Sequence, residues 1–264
     1  MIPAELRRQA QERLHREVGG FFTNTTRGAD TCTVCTGPAS GELCNQCGQH
    51  RAAYGDQLAD QVITLAYAKG NVSPRHQSAH HVYRYKNRIA PSAECLRDLK
   101  LMMLTATWLH GECIARAVGW WEVITFISSE TRPGVLHPVV ELAKQVTPFD
   151  LDADKILLDI GPDIAAEPRR YPLPGRFVVA DTWKSQVQDR HVLVVDDTWV
   201  SGDKGQSAAL ALKAAGARAV TVICVARWLN WEYSEDHRRL IQAQTAPYDA
   251  LRCPVTGGSC PPAQ

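Results

Sequence analysis

The sequence predicts an α/β fold: a parallel sheet covered by helices on both faces. Short apolar runs at 122–127, 155–160, 176–180, 191–195 and 219–228 alternate with helical or loop segments. The runs are continuously apolar, the pattern of strands buried on both sides, and helices between such strands imply a parallel sheet. Ligands on sheets of this kind bind beyond the carboxyl ends of the strands.

Taken in order, residues 3–18 predict an amphipathic helix with Leu6, Ala10, Leu14 and Val18 on one side, stopped by Gly19 and Gly20. The segment from Cys32 to Gly48 is full of turn residues and almost without apolar ones, so apolar burial alone does not fold it. Residues 57–70 and 80–89 are mixed and show no clear period. Residues 94–117 predict a long helix, with Cys95, Leu99, Met102, Met103, Ala106, Leu109, Cys113 and Ile114 on a buried stripe. Residues 137–145 read as helical, residues 203–215 form a helix closed by Gly216, and the Pro/Gly-rich end from Cys253 reads as irregular.

At 264 residues, the chain can bury a sizeable core. A net charge of +1 argues against a bulk polyanion binder. No stretch reaches the ~18 apolar residues of a membrane span, and the Arg-rich start lacks the apolar run of a secretory signal. The chain therefore reads as a cytoplasmic protein without membrane insertion, whose nine cysteines are thiols or metal ligands.

Cys32-Thr-Val-Cys35 and Cys44-Asn-Gln-Cys47 are two pairs separated by eight residues. Four thiolates so spaced suit one tetrahedral Zn2+, whose binding energy replaces the missing apolar core. The rival is redox chemistry, which typically uses one such motif on a βαβ unit. Cys95, Cys113 and Cys224 fall on apolar stripes and read as packing residues. Cys253 and Cys260 read as incidental thiols, with a second metal site completed by His50 or His237 as the alternative. Around the zinc element, Arg7, Arg8, Arg13, Arg16, His50 and Arg51 supply positive charge without aromatic interleaving. That favours a structural brace over a nucleic-acid module.

The stretch "HVLVVDDTWVSGDKG" carries the chemistry. An apolar strand delivers Asp196 and Asp197 to its carboxyl end, where neighbouring side chains point to opposite faces. Thr198, Trp199, Val200, Ser201 and Gly202 then lead into a helix whose first N–H groups and dipole favour an anion. Lys204 adds a positive charge. Capping a helix needs only one such residue, whereas acceptors for hydroxyls beside a phosphate site suit a phosphorylated sugar. A receiver domain, which also has an acidic pocket after a strand, needs about four further βα units, and one strand follows here.

These motifs resemble the type I phosphoribosyltransferases, and most closely the ComF-like subgroup, which joins a four-cysteine zinc element to such a domain. The resemblance covers roughly residues 30–230. It divides the chain into an N-terminal helix and linker (1–28), the zinc element (29–52), a phosphoribosyltransferase-like domain (53–232), and a C-terminal helix and tail (233–264). It implies that Asp196 and Asp197 bind the ribose hydroxyls of 5-phosphoribosyl-1-pyrophosphate (PRPP), that Thr198 to Gly202 with Lys204 hold its 5′-phosphate, and that Mg2+ accompanies it. A pyrophosphate loop is implied at Ser128, Ser129 and Arg132, with Glu130 unusual in it. Arg169 and Arg170 in a Pro-punctuated lid, or else Arg176 or Lys184, are the candidates to close on the pyrophosphate. Val200 and Lys204 stand where the family usually has threonine. The implied activity is phosphoribosyl transfer to a nitrogen acceptor with release of pyrophosphate. The alternative is a non-catalytic PRPP sensor or scaffold, partnered with nucleic acid or a DNA-processing protein.

Overall fold

The computed structural model describes residues 2–127, 137–147, 153–163 and 170–261. The chain begins with α1 (Ala4–Val18), the short β1 (Thr23–Asn24) and the cysteine segment, which ends in α2 (Asn45–Tyr54). The α/β part opens with β2 (Gln61–Gly70), α3 (Gln77–Arg84) and α4 (Ala93–Val118). It continues through β3 (Val123–Phe126), the single turn α5 (Val140–Ala143), β4 (Asp154–Lys155), β5 (Leu158–Ile160), β6 (Phe177–Val179) and α6 (Asp181–Val187). The last elements are β7 (His191–Trp199), α7 (Asp203–Ala214), β8 (Ala219–Asn230) and α8 (Glu235–Ala243).

Six strands form one sheet in the order β1-β2-β8-β7-β3-β4, and only β1 runs antiparallel to its neighbour. Side chains of a strand alternate between faces, and both faces here are buried. Leu193, Val195, Ile223 and Val225 pack with Leu99, Met102 and Met103 of α4 and with Leu14 and Val18 of α1. Val192, Val194, Val222 and Cys224 pack on the other side with Ala208, Ala209 and Leu212 of α7, and with Cys32, Cys35 and Cys47. The cysteine segment thus shares the core of the α7 face. Among the described residues, no helix is long and apolar enough to cross a membrane.

The predicted parallel α/β sheet is present, with corrections in its membership. Residues 57–70 contain β2, a strand buried along most of its length beside β8. Residues 155–160 do not form one strand: Asp154 and Lys155 pair with β3, while β5 turns away and pairs antiparallel with β6. This separate ribbon has one solvated face, as the paired Asp159 and Val178 are exposed while Leu158, Phe177 and Val179 on the other face are buried. Helix 137–145 shrinks to the turn of α5. On α1 only the inner half of the predicted stripe is used, since Leu14 and Val18 are buried but Leu6 is 43% exposed. The described residues beyond Cys253, 254–261, form no helix or strand, yet they are held in place: Arg27 Nε donates to Pro254 O at 3.0 Å, and Cys253 is fully buried.

Candidate functional site

Strand β7 continues four residues past the apolar run and carries Asp196, Asp197, Thr198 and Trp199 within it. Their carboxyl-end position opens onto a cavity of about 770 Å³, lined by both aspartates, Lys86, His137, Val200 and Lys204 among others. Asp197 is buried, and its Oδ2 accepts hydrogen bonds from Tyr85 Oη and from Lys86 Nζ, the latter at 2.7 Å. Burial pushes the Asp197 carboxyl up, but the Lys86 charge and the two hydrogen bonds outweigh it and hold the group below the usual aspartate range. Asp196 is half-buried and accepts the Asp197 N–H at 2.8 Å. Burial, and then repulsion from Asp197, pushes its carboxyl up to about 7, against the pull of Lys86 and Lys204. Two adjacent carboxylates therefore have separate states: Asp197 is held charged, and Asp196 gains or loses a proton near neutrality.

The turn into α7 is Val200, Ser201 and Gly202, shorter than predicted because Thr198 and Trp199 belong to the strand. Val200 is 54% exposed at the cavity mouth, while Trp199 is buried beneath the turn and forms its floor. The Thr198 hydroxyl is buried without a hydrogen-bond partner. Gly202 caps α7 with φ +82, and a Cβ there would lie 2.1 Å from the Trp199 ring. Both the left-handed backbone and the contact require glycine. Replacing Gly202 by alanine is therefore expected to cost about 2 kcal/mol or more. A thermal melt reads this as a lowered midpoint, and an unchanged melt would contradict the strained-cap reading.

Ser201 does not face a ligand freely: its hydroxyl donates to Asp203 Oδ1 at 2.5 Å. Asp203, in the first turn of α7, also pairs with the buried Arg176. A carboxylate thus already sits at the positive end of the helix and lines the cavity. Arg227 supports the turn from β8, donating from one guanidinium nitrogen to the carbonyls of Trp199, Val200 and Trp228. On its other side Arg227 meets Gly37 of the cysteine segment, where a Cβ would come within 2.6 Å of the guanidinium.

Of the predicted basic candidates, Arg176 is taken up by Asp203, and Lys184 pairs with Asp181 on the surface. The Arg170 carbonyl accepts from Gln46 Nε2 at 2.8 Å, and its guanidinium lies over the Tyr233 ring. Ser128, Ser129, Glu130, Arg132 and Arg169 lie outside the described residues. Sequence reasoning missed Tyr85, Lys86 and Asp203. The first two fall in the mixed stretch 80–89, with no local sign that they reach a strand more than a hundred residues on.

The four cysteines converge, with the Sγ atoms of Cys32, Cys35, Cys44 and Cys47 all within 4.8 Å of one another. Cys35 Sγ and Cys44 Sγ are 3.8 Å apart, a separation suited to two thiolates on one tetrahedral ion. The backbone folds around Cys32: its N–H donates to Gly37 O, and Thr36 N–H donates back to Cys32 O. Hydrogen bonds to Cys32 and then to Cys35 push the Cys44 and Cys47 thiols up, so the cluster does not shed all its protons unaided. A divalent cation supplies what that crowding lacks. The donor set and geometry fit a structural zinc ion, and α2, which carries Cys47, is tied to the α/β part by Tyr54 Oη, which donates to Pro172 O at 2.9 Å.

Neither a family model nor a curated protein matches the sequence. Among solved structures, the chain is similar to the crystal structure of a phosphoribosyltransferase from Corynebacterium diphtheriae. That similarity is 17% identity over 53% of this chain and 82% of the other, with a TM-score of 0.29. So distant a likeness carries no argument by itself, and the α/β assignment rests on the strand order and packing described above.

Proposed function

We propose that the cavity binds PRPP and that the protein transfers its phosphoribosyl group to a nitrogen acceptor, releasing pyrophosphate. The observation that carries this reading is the pair Asp196 and Asp197, set at the carboxyl end of a central parallel strand beside a helix N-terminus. Asp196 accepts from the ribose hydroxyls, while Lys86 and Tyr85 fix the Asp197 carboxylate behind it. The backbone amides at the start of α7, with Lys204, receive the 5′-phosphate. In the reaction, a nitrogen lone pair forms a bond to the anomeric carbon as the carbon–oxygen bond to pyrophosphate breaks, and pyrophosphate leaves with that electron pair. Protein groups contribute position and charge stabilisation. Asp196 suits a place near Mg2+, which would neutralise the pyrophosphate when it enters with the substrate.

A second reading, a PRPP sensor or scaffold without catalysis, is favoured by Asp203. Its carboxylate at the phosphate end of the cavity opposes an anion, and Ser201 is bonded to it. Incubation with PRPP, Mg2+ and pooled nitrogenous bases separates the two: released pyrophosphate supports transfer, and binding without release supports the sensor.

A pH dependence follows from Asp196. Ligand binding that needs its ionised form weakens as pH falls through about 7, approaching tenfold per unit further down. Stability moves the other way. A carboxyl whose folded-state pKa is raised favours the folded state when protonated, so that contribution is lost as pH rises from the unfolded value towards about 7. Asp197, held low, contributes above its unfolded value and loses that contribution in acid. Calorimetric PRPP titrations between pH 6 and 8 check the binding slope, and a flat profile in the wild-type chain would contradict it.

A further inference from the structure

We propose that the protein carries a second structural zinc site, formed by His110 and Cys113 of α4 with Cys253 and Cys260 of the C-terminal tail. Ligand atoms of His110, Cys253 and Cys260 lie within 4.8 Å of one another. His110 Nδ1 is 3.1 Å from Cys260 Sγ. Cys113 lies one helical turn beyond His110 on the same face of α4 and is buried; it stands outside the three residues that meet within 4.8 Å and would close on the ion as the fourth ligand. Three thiolates and one imidazole are a tetrahedral zinc set, and four protein ligands make the site structural, with no position left for substrate.

Two further features are those of a metal site rather than of incidental thiols. The first is the histidine. His110 is buried, and its Nε2 is 2.9 Å from the Ala250 carbonyl, which can only accept a hydrogen bond. Nε2 therefore carries a proton, and in that tautomer the Nδ1 lone pair faces the sulfurs. A carbonyl fixing the outer nitrogen is the usual support of a ligating histidine. The second is the backbone. Cys253 N–H donates to Gly258 O at 2.7 Å, and Gly257 N–H donates to Cys253 O at 2.8 Å. Around Cys32 the same two bonds recur at the same spacing, from Cys32 N–H to Gly37 O and from Thr36 N–H to Cys32 O. The fifth residue of each loop has positive φ, +55 at Thr36 and +75 at Gly257. The tail loop thus repeats the fold of the first zinc knuckle, with its second cysteine placed later.

Charge is compatible with thiolates at both sites. The Arg27 guanidinium is near Cys253, Cys32 and Cys35 and donates to Pro254 O and Thr33 O. Zinc here would staple the last residues of the tail to a helix some 140 positions earlier in the chain. Cys260 is half-buried, which leaves the ion a way in.

The test is elemental analysis of the purified full-length chain. Two zinc ions per chain are expected in the wild type, and one in a Cys253→Ser, Cys260→Ser variant that keeps the first knuckle. A single zinc ion in the wild type, including the case of a Cys253–Cys260 disulfide, would overturn the proposal, as would two ions in the variant. Should the variant not fold, cobalt titration of the stripped wild-type chain decides: thiolate charge-transfer absorbance should rise until two equivalents are bound, and a break at one equivalent would refute the site.

Discussion

Replacing Cys32 and Cys44 by serine is expected to release the zinc of the first knuckle and to destabilise the protein by on the order of 5 kcal/mol. Structural zinc contributes about 10–16 kcal/mol to isolated zinc-finger peptides. The expected loss is smaller here because an unfolded chain also binds zinc through its cysteines. In a chain of this size, such a loss lowers the melting midpoint by about 10–20 °C. The effect spreads because the element is built into the α7 face of the core. Cys32, Cys35 and Cys47 pack there, Tyr67 Oη donates to Thr36 O at 2.7 Å, and the Thr36 and Thr64 hydroxyls meet at 2.7 Å. Thermal melts with zinc analysis check this, and an unchanged midpoint with zinc retained would contradict the assigned ligands.

Asp196→Asn is expected to abolish tight PRPP binding while making the protein more stable at pH 8. Lost charge-assisted hydrogen bonds to two ribose hydroxyls are worth about 1.5–3 kcal/mol each, which weakens binding about 100-fold or more. The stability gain has a separate origin. Above about 7 the native state holds Asp196 charged against burial and against Asp197, and a neutral amide of the same shape relieves both. Asp197→Asn should do the opposite to stability, because it deprives Lys86 and Tyr85 of their carboxylate. The stability contrast reports the electrostatics of the pair, and the loss of PRPP binding in Asp196→Asn, in a protein that is no less stable, reports function. Parallel melts and PRPP titrations of the two single variants make the comparison.

Legibility in the sequence followed how local each signal was. Strands β3, β7 and β8 and helices α4 and α7 are marked by their own apolar period, so their existence could be read directly. Strand β2 was not, because its small residues Ala66 and Ala68 and its polar start resemble a helix as much as a strand. The β5–β6 ribbon was missed for another reason: antiparallel pairing is decided by the chain between the two runs, and the runs themselves carry no mark of it. At the site, Asp196 and Asp197 stood out as charges where an apolar strand should end. Lys86 and Tyr85 are brought to them only by tertiary structure. Asp203 reads as an ordinary acidic residue of a helix's first turn until its contacts with Ser201 and Arg176 are seen. His110 lies among the buried residues of α4 and looks like core until the tail folds back onto it.

The central claim is that the cavity at the end of β7 is a PRPP site, and calorimetric titration of the wild-type chain with PRPP in the presence of Mg2+ tests it most directly. A saturable heat at pH 8, lost in an Asp196→Asn, Asp197→Asn variant that remains folded, is the predicted result. No heat in the folded wild-type chain, or equal binding in both proteins, would contradict it.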